Sequence, residues 1–254
     1  LEKEEALQLS NTKVFAHRGA SGYAPENTLE AFALAIRQGA DGIELDVQLS
    51  SDGIPVVIHD ETIDRVTDKT GYVKDYTLQE LKELTVLKDR FPAYNQSKIP
   101  TLKEVLEAVK PSGIQVNIEL KTGIYWYPDI EKKVAEIVEE TGMKDRIVYS
   151  SFNHYSVQRL KEIVPDAETA YLYSDVILNV GGYAKETNVD GLHPAVYHVK
   201  MADFLEEYKK SGLKVRVWTV NEETDMKELI EAGITAVITN YPDVAVRVRK
   251  ESEN

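Results

Sequence analysis

The stretch VFAHRGASGYAPENTLEAFALAIRQGADGIELDVQ, residues 14–48, reads in order as a short apolar strand, a glycine-rich turn, a helix and a second strand. The first strand, 14–17, delivers His17 and Arg18 into the turn. Asn27, three residues before Glu30, has the spacing of a helix N-cap with its capping-box partner. The helix, 29–38, stops at Gly39, a residue type that favours helix C-termini. The second strand, 42–48, alternates Ile43, Leu45 and Val47 with Glu44, Asp46 and Gln48. Strands joined through a helix pair in parallel, because each connection has to cross back over the sheet.

The same rhythm runs to the end of the 254 residues. Further strands are predicted at 116–121, 147–152, 169–173, 191–193, 214–220 and 236–239, with helical patterns at 102–109, 130–140, 156–163, 202–210 and 226–231. Eight such units at this length predict an α/β fold, a closed (β/α)8 TIM barrel in preference to an open doubly wound sheet. Residues 53–100 break the rhythm with a short strand at 55–58 and then polar, turn-rich sequence. A connection that long is seldom structureless, so it is read as a subdomain inserted after strand 2 and lying over one barrel mouth. The expectation is one domain over 1–254, insertion included.

Composition narrows the partners. No apolar run reaches the roughly 18 residues needed to cross a bilayer, and no signal peptide opens the sequence. The expected location is cytoplasmic, or secreted or periplasmic if a leader was removed before Leu1. There are no cysteines, so neither disulfides nor thiolate chemistry enters. The net charge of −13 argues against nucleic acid, which is held by basic stripes. An anionic substrate would need its own local positive charge, from Arg, Lys or a metal ion.

Functional side chains of such a barrel sit at the C-terminal ends of strands. Those ends carry His17-Arg18, Glu44-Leu45-Asp46, Glu119-Leu120-Lys121 and Trp218-Thr219-Val220-Asn221, and the insertion's strand ends in His59-Asp60. Residues i and i+2 of a strand share a face, so Glu44 projects with Asp46, and Glu119 with Lys121. Three carboxylates meeting at the upper mouth cannot all stay ionised without compensation. One divalent metal ion would supply it, and an all-oxygen set favours Ca2+ or Mg2+ over zinc. The alternative is a metal-free network in which Arg18 and Lys121 neutralise the acids. His17 and His59 suit a general acid–general base pair for cleaving a phosphodiester. Arg18 and Lys121 would hold the phosphate oxygens.

His17-Arg18-Gly19, Pro25-Glu26-Asn27-Thr28, Glu44-Leu45-Asp46-Val47, His59-Asp60, Glu119-Leu120-Lys121 and Trp218-Thr219-Val220-Asn221, in this order, resemble the glycerophosphodiester phosphodiesterase family. The likeness runs from about residue 14 to about residue 248. It implies a TIM barrel with an insertion after strand 2, and Glu44, Asp46 and Glu119 as ligands of one divalent ion, Ca2+ or Mg2+. It also implies His17 and His59 as acid and base, with Arg18 and Lys121 on the phosphate. The implied reaction converts glycerophosphodiesters, such as glycerophosphocholine or glycerophosphoethanolamine, to sn-glycerol 3-phosphate and an alcohol. Glu26 and Asn27 are expected to support these groups, a helix cap being the equally good reading for Asn27.

Asn240 stands where the family commonly has an acid, and the departure is expected to touch only a secondary contribution near the rim. Phe152 and Trp218 could wall the glycerol backbone or fill the barrel core. His154 and His193 are candidate pocket residues or packing residues, and His198 reads as packing. Tyr125-Trp126-Tyr127-Pro128 either rims the site or packs on the insertion. The intact set of acids and histidines argues against a non-catalytic phosphate-ester binder, and the insertion against a phospholipase-D-like relative. A phosphoinositide-cleaving enzyme would share the two histidines but not this set of motifs. A small-molecule substrate is the expected partner, and a homodimer is left open.

Overall fold

The computed structural model describes residues 11–201 and 203–253. Eight parallel strands close a barrel: β1 (Lys13–His17), β2 (Gly42–Leu49), β4 (Gln115–Leu120), β5 (Ile147–Ser151), β6 (Glu168–Tyr173), β7 (Gly191–Pro194), β8 (Lys214–Val217) and β9 (Ala236–Thr239). β1 pairs with both β2 and β9, which shuts the ring and sets aside the open sheet. The remaining strand, β3 (Pro55–Val57), lies antiparallel to the upper end of β2 and opens the insertion. Helices α1 (Leu29–Arg37), α3 (Leu102–Val109), α4 (Ile130–Glu140), α5 (His154–Ile163), α6 (Val180–Glu186), α7 (Val196–Val199), α8 (Phe204–Lys210), α9 (Glu223–Glu231) and α10 (Pro242–Ser252) connect the barrel strands or follow the last of them, and α2 (Leu78–Glu83) belongs to the insertion. Residue 202, with which the expected 202–210 helix begins, lies outside the described residues.

β2 is buried along its whole length. Ile43, Leu45 and Val47 pack with residues of α1, α3 and α4, each contributing about 1.5–3 kcal/mol by leaving water. The opposite face looks into the lumen, where Phe15 lies across Gly42. A Cβ at Gly42 would sit 2.5 Å from the Phe15 ring, so only glycine fits there. Deeper in the lumen Arg216 pairs with Glu168, beside the fully buried His193.

The insertion has its own apolar cluster of Val56, Ile58, Ile63, Val66, Val73, Leu81, Leu84, Val86 and Ile99. It is thus a folded unit seated on the barrel and not a loose loop. Four expected strands end early, β3 at Val57, β4 at Leu120, β5 at Ser151 and β8 at Val217, and Trp218 keeps only a bridge to Ala195. The predicted cap is also displaced. Asn27 has a left-handed backbone (φ 57°), whereas Thr28 is extended and its hydroxyl accepts the Ala31 N–H, which caps α1. The third helical residue after that cap is Ala31, so Glu30 forms no capping box.

Candidate active site

The parallel register of β2 and β4 sets Asp46 beside Glu119 and Glu44 beside Asn117. One carboxylate oxygen from each of Glu44, Asp46 and Glu119 lies within 4.8 Å of the others, and all three residues are buried. The backbone N–H of Arg18 donates to Glu44 at 2.9 Å, and its Nε is 3.5 Å from Asp46. Lys121 Nζ is 3.5 Å from Glu119. Arg18 is shared, since its Nη1 also donates to Glu26 at 2.9 Å. The charge network weighed from the sequence is therefore present, yet it leaves the acids under-compensated. Burial, with Asp46 and Glu119 close by, raises the Glu44 carboxyl well above its usual range. Burial and Asp46 push Glu119 up to about 8. For Asp46, burial is outweighed by His59, Arg18 and Lys121, which hold it low.

Asp46 Oδ1 is buried without a hydrogen-bond partner. An orphan carboxylate oxygen beside two further acids fits a hard divalent cation, and the all-oxygen set suits Ca2+ or Mg2+. This yields a stability prediction. Folding raises the Glu119 pKa from 4.5 to about 8, so the folded protein binds protons the unfolded chain has lost in that window, and stability falls as pH rises through it. His17, lowered from 6.5 to about 4, acts oppositely but only below 6.5. In excess chelator the Tm should therefore fall between about pH 6.5 and 8, and Ca2+ or Mg2+ should flatten the slope. A chelated Tm that is level or rising there would contradict the under-compensated triad.

Both histidines open on the same cavity of about 330 Å3, whose polar side also carries Arg18, Glu44 and Glu119. His17 Nδ1 lies 2.7 Å from the side-chain oxygen of Asn240, and its Nε2 lies 4.0 Å from Glu44. Burial and the neighbouring Arg18 lower its pKa to about 4. His59 Nδ1 is 2.7 Å from Asp60 Oδ1, and its Nε2 is 3.3 Å from Lys121 Nζ. The backbone here is pinned by Gln48, whose amide donates to the carbonyls of Ile58, His59 and Asp60. Tyr127 donates to the Gln48 oxygen at 2.8 Å. The other wall is apolar, formed by Phe152, Leu172, Trp218 and Ile238. Phe152 and Trp218 meet edge to face with centroids 5.6 Å apart.

Some expectations change. Asn27 is not a cap; its amide donates to Asp46 Oδ2 at 2.9 Å and so braces the triad from behind. Asn240 is not peripheral, because it touches His17. His154 and His193 do not line the cavity. His154 stacks on Tyr171 and bonds the Leu172 carbonyl, and His193 is buried beside Arg216. His198 is buried against Tyr208 and the Ser174 carbonyl. Tyr125 packs on Tyr72 of the insertion. Sequence reasoning passed over Gln48, and also Arg65, which joins Glu26 to Asp60. Gln48 had one visible signal, its place two residues beyond Asp46 on the same strand face.

A cleft lined by two imidazoles, a guanidinium and members of a buried acid triad suits the hydrolysis of phosphate esters. Comparison with known proteins gives the family. The chain belongs to the Glycerophosphoryl diester phosphodiesterase family, whose model matches residues 17–244, and it is thereby a phosphoric diester hydrolase. It is 42% identical over 240 residues to a glycerophosphodiester phosphodiesterase of Caldanaerobacter subterraneus subsp. tengcongensis, covering 94% of this chain and 98% of that one. The same enzyme of Bacillus altitudinis is 42% identical over 245 residues, covering 94% and 99%. Among solved structures, an Oleispira antarctica phosphodiesterase in complex with the product sn-glycerol-3-phosphate matches with a TM-score of 0.88 at 32% identity, covering 93% of this chain and 96% of that one.

Proposed function

We propose that this chain hydrolyses glycerophosphodiesters to sn-glycerol 3-phosphate and an alcohol, with His17 as the first base, His59 as the first acid, and one divalent ion held by Glu44, Asp46 and Glu119. The observation that carries the reading is the contrast between the two Nδ1 partners. Asn240 offers His17 an amide oxygen, which accepts the Nδ1 proton but brings no charge to favour an imidazolium. Its Nε2 lone pair is left free to take a proton. Asp60 offers His59 a charged acceptor 2.7 Å from Nδ1, which fixes the ring with Nε2 as the atom that can hand a proton on.

The nucleophile in this reading is the substrate's own glycerol 2-hydroxyl. As its oxygen bonds to phosphorus, its proton passes to His17, the bond to the alcohol breaks, and His59 protonates the departing oxygen. Water then opens the cyclic phosphate with the roles reversed: His59 takes the proton of water and His17 returns one to the 2-oxygen. Arg18 and Lys121 hold the phosphate oxygens as charge gathers on them. A bound divalent ion would screen the phosphate and offset the repulsion of the three acids. Phe152 and Trp218 give the carbon skeleton an apolar wall.

The test follows glycerophosphocholine and glycerophosphoethanolamine by phosphorus NMR, with chelator and then with Ca2+ or Mg2+ added back. Turnover restored by the ion, with a transient cyclic phosphate, is expected. Full turnover in excess chelator would end the metal reading, and no turnover with any ion would favour a binder. The base assignment has its own check. Asn240→Leu keeps the volume but removes the acceptor, so the His17 proton is drawn to Nε2, facing Glu44. The expected loss in kcat is about ten- to a hundredfold.

A further inference from the structure

We propose that Arg65, supplied by the insertion, is a positioning residue for both the proton-transfer side and the phosphate-holding side of the cavity. The inference rests on the acid–base reading above. Arg65 bonds two carboxylates at once. Its Nη1 and Nη2 donate to the two oxygens of Glu26 at 2.8 and 2.7 Å, and its Nε and Nη2 donate to the two oxygens of Asp60 at 2.8 and 3.1 Å. Each carboxylate in turn holds one cavity residue. Glu26 Oε1 accepts from Arg18 Nη1 at 2.9 Å, and Asp60 Oδ1 lies 2.7 Å from His59 Nδ1. The result is a chain of alternating charge, Arg18, Glu26, Arg65, Asp60, His59, with the guanidinium at its centre.

A planar fork with five N–H donors can make this double bidentate contact, and an ammonium cannot. The fork is held from below, because Ile63 and Val66 on either side of Arg65 are both buried in the insertion's apolar cluster. The Arg65 side chain itself is 45% exposed, so its truncation leaves that cluster intact. Without it, Glu26 and Asp60 face one another with no cation between them. Asp60 is then free to turn from His59, and Glu26 draws more fully on Arg18. The insertion thus supplies, besides His59 and Asp60, the cation that ties them to Glu26 and Arg18.

The experiment measures kcat and KM of the divalent-loaded enzyme on glycerophosphocholine for Arg65→Ala, Arg65→Lys, His59→Ala and the His59→Ala/Arg65→Ala double variant. Arg65→Ala should lose about ten- to a hundredfold in kcat, the range for removing a partner that orients a functional group. Arg65→Lys should recover only a minor part. Guanidinium at about 20 mM, far below the molar concentrations that unfold proteins, should enter the exposed gap and restore Arg65→Ala saturably while leaving the parent enzyme unchanged. The double variant should fall below His59→Ala by less than Arg65→Ala falls below the parent, because the route through Asp60 is already lost and only the route through Glu26 and Arg18 remains. The proposal is overturned by a kcat for Arg65→Ala within twofold of the parent. It is equally overturned by a loss that ignores guanidinium and adds in full to that of His59→Ala. Turnover that survives His59→Ala sinks the proton-transfer reading itself, and with it the route through Asp60.

Discussion

Alanine in place of His17 or His59 should lower kcat on glycerophosphocholine by about two orders of magnitude or more, with the barrel still folded. The two variants should then part company on an activated substrate. A nitrophenyl diester releases a phenolate that needs no proton, so loss of the acid matters little while loss of the base matters as before. In the first step, read as the single-turnover release of nitrophenolate before the cyclic phosphate is opened, His59→Ala should therefore regain most of its lost rate on the nitrophenyl ester, and His17→Ala should not. Matching rate constants for both variants on both substrates would refute the division of labour, and near-parental rates for either on glycerophosphocholine would remove that residue from the reaction. The folded state of each variant is checked by its melting transition, since neither side chain belongs to the apolar clusters around the barrel.

Glu119→Gln should separate activity from stability. The amide keeps the shape of the side chain but removes one of the three charges, so turnover is expected to fall at least about a hundredfold, the upper end of the loss when even an outer partner of a metal site is removed. Divalent ion should also lose its effect on the melting temperature, because stabilisation by a ligand requires that it bind. In chelator the outcome reverses. Asp46 and Glu44 have one acid fewer to repel, and Lys121 retains Asp46 as a neighbouring charge. The fall in Tm between pH 6.5 and 8 predicted for the parent should be reduced in the variant. A variant with full turnover, or one whose chelated Tm drops as steeply as the parent's, would show that Glu119 is not part of a strained acid triad.

The parts of this molecule that could be read in advance are those written in periodicity. The alternation of β2 shows in seven residues that Glu44 and Asp46 share a face, and the strand–helix rhythm shows that the face is a lumen. The insertion was visible as a break in the same rhythm. What escaped reading depends on partners that no local pattern announces. Asn240 meets His17 across 223 positions of sequence, and its amide looks like any polar residue after a strand. Arg65 reaches back 39 positions to Glu26. Asn27 had the right spacing for a cap, but its left-handed backbone moved the cap to Thr28 and sent the amide to Asp46. The histidines at 154 and 193 also fall near strand ends, and in the sequence only the charged neighbours Arg18 and Asp60 and the surrounding motifs set 17 and 59 apart.

The pairing of β1 with β9 has a consequence for how the protein is made. At about 5–20 residues per second, on the order of tens of seconds separate the emergence of His17 from the ribosome and that of Asn240. Through that interval β1 lacks the neighbour that β9 will give it, and bare strand edges invite pairing with other chains. Catalytic competence thus waits for the emergence of β9 and the Asn240 that follows it. Chaperones that shield an unclosed sheet would find their client here in the unfinished ring.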